Sequence, residues 1–281
     1  MIWSPKNILV CLLFISVLLS QMEDGEHVEY YKDGSVKHRA TIKNGKLNGL
    51  FIWYYENGNK KIEQYYLDGI EHGEYITYFE TGGIRKRENY FHGEKDGKFE
   101  FYYTNGIKKT EQYYKNGQEH GTFKKWSEEG IVISEGFFQN GKQDGKWREY
   151  YPSGKPKSEE FFVDGIQEGR WTTYWENGNV KTVVIYDQGL RDGKWEAYYE
   201  NGNPEFIQYF QDGQPYGTWE AYYENGKIRL KKSYRYGLPD GLWIEYYATG
   251  FIKKEGYYKK GEKTGVWKEY DENGKSIKET D

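Results

Sequence analysis

The stretch that decides the fold is Gly193-Lys194-Trp195-Glu196-Ala197-Tyr198-Tyr199-Glu200-Asn201-Gly202, followed by residues 203–208 and by Tyr209-Phe210-Gln211-Asp212-Gly213. Gly217 begins the next copy, and the same unit fills the chain from Gly25 onward at a constant step. A fixed period without insertions is the signature of an array in which each unit contacts only its neighbours. The sequence therefore predicts one structural unit, repeated along the chain.

Three sets of glycines mark the unit, and they begin with Gly25, Gly34 and Gly45. Each set recurs once in every unit along the chain. The three glycines outside these sets are Gly83, Gly136 and Gly256. Glycine at three fixed places indicates backbone geometry that side chains do not readily adopt, repeated in every unit.

The residue before the glycine predicts turns in two of these sets. Asn57-Gly58 and Asn201-Gly202 belong to the second set, and Asp68-Gly69 belongs to the third. Asn-Gly and Asp-Gly are strong hairpin signals, because both central residues of a type I′ turn have positive φ. We therefore expect two short strands and two type I′ turns in each unit.

Aromatic residues recur at fixed positions of the unit. Trp195 and Tyr198 lie on its first strand, and Phe210 lies near the end of its second. Aromatic residues favour strands and pair across them, so rings at equivalent positions should form ladders. The spacing of three between Trp195 and Tyr198 requires either a bulge or rings on both faces. The ladder residues that we predict to contact a partner are Trp147, Trp171, Trp195, Trp219, Trp243, Tyr150, Tyr174, Tyr198, Tyr222 and Tyr246.

Charged residues also recur on the second strand. A cation is followed two residues later by a glutamate in several units, as in Lys61 with Glu63 and Lys109 with Glu111. On a regular strand such a pair lies on one face. We expect a solvated face laced with ion pairs, with a charged stripe for a partner as the alternative.

The composition favours a thin sheet. The 281 residues are 36% hydrophobic, and aromatic residues alone make up 19%. Soluble domains are usually about 45–50% apolar, and large rings can cover a sheet without a deep interior. The fold class that we predict is all-β: an elongated single-file array of about eleven 24-residue β-hairpin repeats, forming an open, twisted antiparallel sheet or solenoid and preceded by a signal peptide.

The first residues differ from the repeats. Ile8 to Leu19 is an apolar run of twelve residues, which is shorter than the about 20 that a membrane span needs. The run resembles the core of a secretory signal peptide, and Ser20 offers a small residue for cleavage near Gln21. We therefore predict a signal peptide over residues 1–21, a repeat array over residues 22–281, and a secreted, periplasmic or cell-surface location. An uncleaved N-terminal anchor is the alternative.

The sequence offers no motif for catalysis. Gly136–Lys142 imitates a phosphate loop, but Gln143 stands where serine or threonine would bind magnesium. Cys11 is the one cysteine and lies in the leader. We predict no enzyme activity, no catalytic residue, no cofactor and no metal site. The net charge of −4 and the absence of a basic block argue against nucleic acid as a partner.

The pattern Gly-x-Trp-x-x-Tyr-Tyr-x-Asn-Gly, continued by a cation, a ring and a third glycine, resembles the variant MORN repeat of bacterial proteins. The resemblance covers Gly25 to Gly274. It implies stacked β-hairpins and a role in binding, because MORN arrays are linked to protein contact, membrane association and scaffolding. Some members are labelled antitoxins of toxin–antitoxin systems. The motif carries no catalytic residue.

These observations favour a non-catalytic scaffold that binds a protein partner, or a membrane surface, outside the cytoplasm through an aromatic-rich sheet face. A module that binds cell-wall carbohydrate or choline is one alternative, since rings can cage a cation. The lysines of the second strand argue against choline, because they would repel it. An antitoxin-like binder that neutralises a toxin protein is the other alternative, and the predicted leader argues against a cytosolic antitoxin.

Overall fold

The computed structural model describes residues 23–280, so the predicted signal peptide over residues 1–21 lies outside the described residues. Residues 23–280 form 28 β-strands and no helix. Each paired strand is antiparallel to its partner, as in the pairing of β1 (Gly25–Tyr30) with β2 (Val36–Lys43). A search of the same residues finds no helix that could cross a membrane. The prediction of an all-β repeat chain is confirmed.

The chain divides into two compact units. The first runs up to Val132 and includes Phe138–Lys142, and the second contains Ile133–Phe137 and the chain from Gln143 onward. The remaining strands of the first unit are β3 (Lys46–Leu47), β4 (Gly49–Tyr54), β5 (Lys60–Leu67), β6 (Ile70–Tyr78), β7 (Ile84–Phe91), β8 (Glu94–Lys95), β9 (Gly97–Tyr102), β10 (Lys108–Lys115), β11 (Gln118–Glu119) and β12 (Gly121–Trp126). Strands with residues in both units are β13 (Val132–Gln139) and β14 (Lys142–Gln143).

The second unit repeats the same order of strands. Its strands are β15 (Gly145–Tyr150), β16 (Pro156–Val163), β17 (Ile166–Gln167), β18 (Gly169–Tyr174), β19 (Val180–Asp187), β20 (Leu190–Arg191), β21 (Gly193–Tyr198), β22 (Pro204–Gln211), β23 (Gln214–Tyr222), β24 (Ile228–Arg235), β25 (Leu238–Tyr246), β26 (Ile252–Lys259), β27 (Glu262–Tyr270) and β28 (Ser276–Thr280). Within each unit a long strand pairs with the long strands before and after it, such as β22 with β21 and β23, and a two-residue strand such as β8 pairs with the strand before it. Each unit is therefore an open antiparallel sheet built in single file.

The turns at the two ends of the hairpins differ. Asp212 and Gly213 have φ of 48° and 74°, so the predicted type I′ geometry is confirmed for the third glycine set. In the second set only the glycine has positive φ, and Gly202 N–H donates to the Tyr199 carbonyl at 2.9 Å. The type I′ prediction is wrong there. The Asn201 side chain instead accepts from the Asn203 N–H, and this bond spans the glycine.

The rings lie on both faces of the sheet. Trp195 contacts Phe206 and Phe210, with ring centroids 4.8 and 6.0 Å apart, on what we call the ring face. Glu196 and Tyr198 lie on the opposite, charged face, where Tyr198 Oη donates to Glu196 Oε1 at 2.9 Å. Strict alternation along β21 thus accounts for the spacing of three between Trp195 and Tyr198.

A bulge in the second strand changes which charged residues pair. The register shifts between Trp53 and Tyr54, so Lys61 is the extra residue of the partner strand. Lys61 Nζ lies 5.3 Å from the ring centroids of both Trp53 and Tyr55. Glu63 is paired instead with Lys60 at 2.5 Å. The prediction that Lys61 and Glu63 share one face is wrong, because the bulge moves the cation to the ring face.

Candidate interaction surface

The leading rings form a ladder on the ring face of each unit. In the second unit, Phe162 lies between Trp147 and Trp171, with centroid distances of 6.5 and 5.0 Å. Phe210 and Trp219 continue the pattern at 5.1 Å. Edge-to-face contacts of this kind stabilise aromatic pairs beyond the area that they bury. Rings such as Phe162 and Phe210 thus hold their own repeat against the next.

The five predicted tryptophans are half-buried or buried in this ladder. Trp147 is buried, and Trp171, Trp195, Trp219 and Trp243 are half-buried. Indole nitrogens bond within the sheet, as Trp219 Nε1 donates to the Tyr209 carbonyl at 2.9 Å. The structure therefore gives these residues a packing role, while their contact with a partner stays a prediction.

Cations of the chain cover several of these rings. Arg191 Cζ lies 4.0 Å from the Trp195 centroid, and Lys232 Nζ lies 5.2 Å from that of Trp219. A cation over an aromatic face is attracted by the ring quadrupole. The covered faces are already occupied by positive charge.

The five predicted tyrosines are half-buried near the end of the first strand. On the charged face, Tyr198 donates to Glu196 and Tyr150 donates to Glu135 at 2.8 Å. Burial and this hydrogen bond raise the pKa of Tyr150, because both disfavour the phenolate. The remaining predicted tyrosines are Tyr174, Tyr222 and Tyr246. Their hydroxyls or carbonyls also bond within the array, so the five tyrosines have a structural role and their binding role stays a prediction.

In most repeats a second ring hydroxyl ties the repeat to the next one. Tyr199 Oη donates to the carbonyl of Tyr222, 23 residues on, at 2.9 Å. We call this bond the staple. The same bond joins Tyr31 to Tyr54, Tyr55 to Tyr78, Tyr103 to Trp126, Tyr151 to Tyr174, Tyr223 to Tyr246 and Tyr247 to Tyr270. Phe79 stands at the staple position of its repeat and has no hydroxyl to donate.

The charged face contains a dense carboxylate–lysine cluster in the first unit. Glu100 is buried, and it lies 2.8 Å from Lys98 and 2.7 Å from Lys108. Burial opposes ionisation of Glu100, but hydrogen bonds from Lys108, Lys98 and Tyr102 outweigh it and lower its pKa to about 2. Hydrogen bonds to Glu100 and Glu111 raise the pKa of Lys98, because they stabilise the ammonium form. This cluster is internally neutralised and offers no unpaired charge to a ligand.

Large apolar side chains are exposed along the edge of the sheet where the tight turns lie. Ile166 and Leu190 occupy the same position of consecutive repeats, directly after the turn glycine, and they are 50% and 52% exposed. We call these exposed residues the turn-edge stripe: Tyr65, Leu67, Ile70 and Phe91 in the first unit, and Phe161, Val163, Ile166, Ile185 and Leu190 in the second. Repeats are paired strand by strand, so equivalent residues recur at about 10 Å within a unit.

The turn-edge stripe was not predicted from the sequence. The signal was present in ring doublets such as Tyr65-Tyr66 and Phe161-Phe162. Neighbours on a strand face opposite sides, so only one ring of a doublet can join the ladder. Phe162 is buried in the ladder, whereas Phe161 is 41% exposed.

Two open depressions lie beside these surfaces. One, of about 500 Å³, is lined by Leu50, Tyr65 and His72 among others. The other, of about 310 Å³, is lined by Val183, Glu196 and the predicted binding residue Tyr198 among others. Across residues 23–280, no group of three or more His, Cys, Asp or Glu side chains is placed to hold a metal ion.

The solved structures that match this chain are too dissimilar to support a conclusion about its fold or function. A crystal structure titled TcdB2-TccC3 matches 90% of this chain at 12% identity and a TM-score of 0.21. A crystal structure titled TcdB2-TccC3-TEV matches 99% of this chain at 11% identity and a TM-score of 0.20. The chain spans only 17% and 18% of those chains. Comparison with curated proteins gives no match.

The family comparison agrees with the repeat geometry. A family model described as MORN repeat variant matches eleven stretches of the chain, and each stretch includes a tight turn or the strands beside it. The matched residues are 23–44, 47–68, 71–92, 95–116, 119–140, 143–164, 167–188, 191–213, 215–236, 239–260 and 263–280. Together these stretches cover most of the chain, and the chain belongs to the MORN repeat variant family.

Proposed function

We propose that this chain is a non-catalytic scaffold that binds a protein partner outside the cytoplasm, with the turn-edge stripe as the principal contact surface. The observation that carries the proposal is the exposure of large apolar side chains at equivalent turns. Ile166 and Leu190 are each at least half exposed. Rows of exposed apolar residues rimmed by polar ones mark interaction surfaces more often than scattered single residues do.

The charge around the stripe favours a protein over an anionic membrane. Asp164 and Asp187 are exposed beside the stripe, and the whole chain carries a net charge of −4. Anionic lipid headgroups attract basic segments and repel acidic ones. A protein surface with an apolar strip and basic neighbours would fit this edge.

The cations over the ring ladder argue against a choline module. Arg191 and Lys232 cover Trp195 and Trp219, which are the faces that a quaternary ammonium ligand would need. A ligand cation would have to displace a tethered cation of the chain from each ring.

The proposed location and the proposed lack of catalysis are inferred from the sequence. The apolar run before the repeats supports export, and the repeat motif contains no catalytic group. The described side chains are engaged largely in contacts within and between repeats, which suits a scaffold.

Crosslinking of the chain on intact cells, followed by mass spectrometry, tests this function. We expect crosslinks from residues beside the stripe to one protein partner. A Phe161→Ser, Ile185→Ser, Leu190→Ser variant should lose that partner. Phe251→Ser is the matched control, because Phe251 is 53% exposed at the opposite, Asn-Gly end of the hairpins.

Both variants should keep the unfolding midpoint of the parent chain, since substitutions at exposed positions usually change stability little. Equal loss of the partner by both variants would contradict the stripe as the contact surface. Retention of the chain on cell-wall glycans or on choline resin, with no protein crosslinked, would overturn the protein-partner proposal. Crosslinking to a toxin protein would support the antitoxin alternative.

A further inference from the structure

The first and last described strands each leave one edge without a partner among residues 23–280. β1 pairs with β2, and β28 pairs with β27. Every residue of β28 is exposed, and Tyr30 at the end of β1 is 58% exposed. An unpaired edge strand is a template on which another chain can add a strand.

The junctions inside the array show which side-chain contacts such an edge can form. Where β26 meets β27, Lys254 opposes Glu269, with Nζ 2.7 Å from Oε1. At the next position, Tyr270 Oη donates to Glu255 Oε1 at 2.8 Å. One ion pair and one tyrosine–carboxylate bond therefore cross this junction, in addition to the backbone ladder.

The unpaired edge of β28 carries one half of this junction. Lys278 and Glu279 stand one repeat after Lys254 and Glu255, at the same positions of the following strand. Lys278 and Glu279 are both exposed. β28 thus presents the lysine and the carboxylate that interior strands use to bind the next repeat.

The unpaired edge of β1 carries the other half. Glu29 and Tyr30 stand a whole number of repeats before Glu269 and Tyr270. Glu29 is exposed, and on its inner side Lys37 Nζ lies 2.7 Å from Oε1 and His38 Nδ1 lies 3.3 Å from Oε2. Each carboxylate oxygen accepts at more than one position, so these contacts leave acceptor positions for a further cation at the unpaired edge.

We propose that copies of this chain associate head to tail, with β28 of one copy adding antiparallel to β1 of the next. Lys278 of the first copy pairs with Glu29 of the second, and Tyr30 of the second donates to Glu279 of the first. Glu279 then lies opposite Val28, as Glu255 lies opposite Lys268. The two edges are different, so the contact is heterologous and a chain of copies can extend at both ends.

The staple is missing from this contact, because Asp271 stands where the last repeat would carry its ring. An interior junction shows that the staple is dispensable. Phe79 has no hydroxyl, yet β7 still pairs with β9, as in Lys86 opposite Phe101. Backbone bonds and the two side-chain contacts can therefore hold the end junction.

Sedimentation of the full chain over a range of concentrations tests the proposal. We expect species beyond the dimer to grow with concentration. Lys278→Glu and Glu29→Lys, each alone, should raise the concentration at half-association about tenfold, because each places like charges opposite each other. The double variant reverses the pair and should restore association.

Lys157→Glu is the control, since Lys157 pairs with Glu149 on strands that are several repeats along the chain from β1 and from β28, and it should leave association unchanged. Association through the apolar leader would not respond to the charge exchange. A monomer at all concentrations, growth that stops at a dimer, or a double variant as weak as the single ones would overturn the proposal. A Cys11→Ser chain with Val28→Cys and Glu279→Cys should also form disulfide-linked ladders under oxidation, and monomers alone would contradict it.

Discussion

The indole of Trp147 lies over the backbone of Gly136, so closely that a Cβ at Gly136 would be 2.2 Å from the indole Cδ2. Trp267 and Gly256 have the same relationship, also at 2.2 Å. The two indoles are 7% and 6% exposed, which makes them buried members of the ring ladder. With the indole in this place, neither of these two positions outside the repeating sets has room for a side chain.

A methyl group at Gly136 should disrupt this contact. Gly136→Ala is expected to lower the free energy of unfolding by about 1–3 kcal/mol, as overpacking does, and to push the indole of Trp147 toward water. Urea unfolding and the tryptophan emission maximum report the two effects. Gly83→Ala is the control, because a Cβ there would lie 3.9 Å from Phe79, and it should change neither measurement. Equal effects of the two substitutions would contradict the requirement for glycine.

The staple should contribute measurably to stability. Tyr199→Phe removes the donor to the Tyr222 carbonyl, and we expect the free energy of unfolding to fall by about 0.5–1.5 kcal/mol. The reverse change is available in the same chain. Phe79→Tyr places a hydroxyl at the staple position that faces the Tyr102 carbonyl of the next repeat, and it should raise the urea midpoint. A gain in stability from Tyr199→Phe, or a loss from Phe79→Tyr, would count against the staple.

The Glu100 cluster should make stability depend on acid pH. The pKa of Glu100 is about 2 in the folded chain, whereas the pKa of an unfolded glutamate is about 4.3. Its folded pKa is depressed, so its contribution is present above the unfolded pKa and is lost as pH falls toward 2. Glu100→Gln should therefore be less stable than the parent at pH 7 by about 2–3 kcal/mol. Urea midpoints of both chains should converge between about pH 5 and pH 2. A constant difference over that range would exclude the cluster as its source.

Substitutions of ladder rings should lower the free energy of unfolding much more than substitutions of stripe residues. Trp219 lies 4.6 Å from the Tyr234 centroid, and its indole nitrogen bonds to the Tyr209 carbonyl. Trp219→Ala is expected to lower the free energy of unfolding by about 3–5 kcal/mol. Ile185→Ser, at an exposed position, should change it by less than about 0.5 kcal/mol. An unchanged melting profile for Trp219→Ala would show that this ring is available for binding instead.

The repeat, the hairpins and the tight turns could be predicted because they depend on local chemistry. Asp212-Gly213 adopts the turn that its sequence predicts, with both residues at positive φ. At the other end, Asn201-Gly202 has the same kind of signal but a different turn, because the Asn201 side chain bonds to the backbone of Asn203. The dipeptide alone does not reveal which of these bonds forms.

The sequence did not predict on which face the side chains near the bulge lie. The extra residue at Lys61 moves that cation onto the rings of Trp53 and Tyr55, and periodicity does not show where a strand gains a residue. The exposed stripe was missed for a related reason. A ring such as Phe161 looks like a ladder residue until the register assigns Phe162 to the ladder.

Each staple spans one repeat, and it uses a ring donor and a backbone acceptor that most of the other repeats also supply. An in-frame duplication of a repeat that carries the staple tyrosine therefore inserts a unit that can donate to the following repeat and accept from the preceding one. Unequal recombination within such a gene can lengthen or shorten the protein by whole repeats, with no compensating mutation elsewhere. The length of the repeat array can thus change in evolution through the number of repeats, without new sequence.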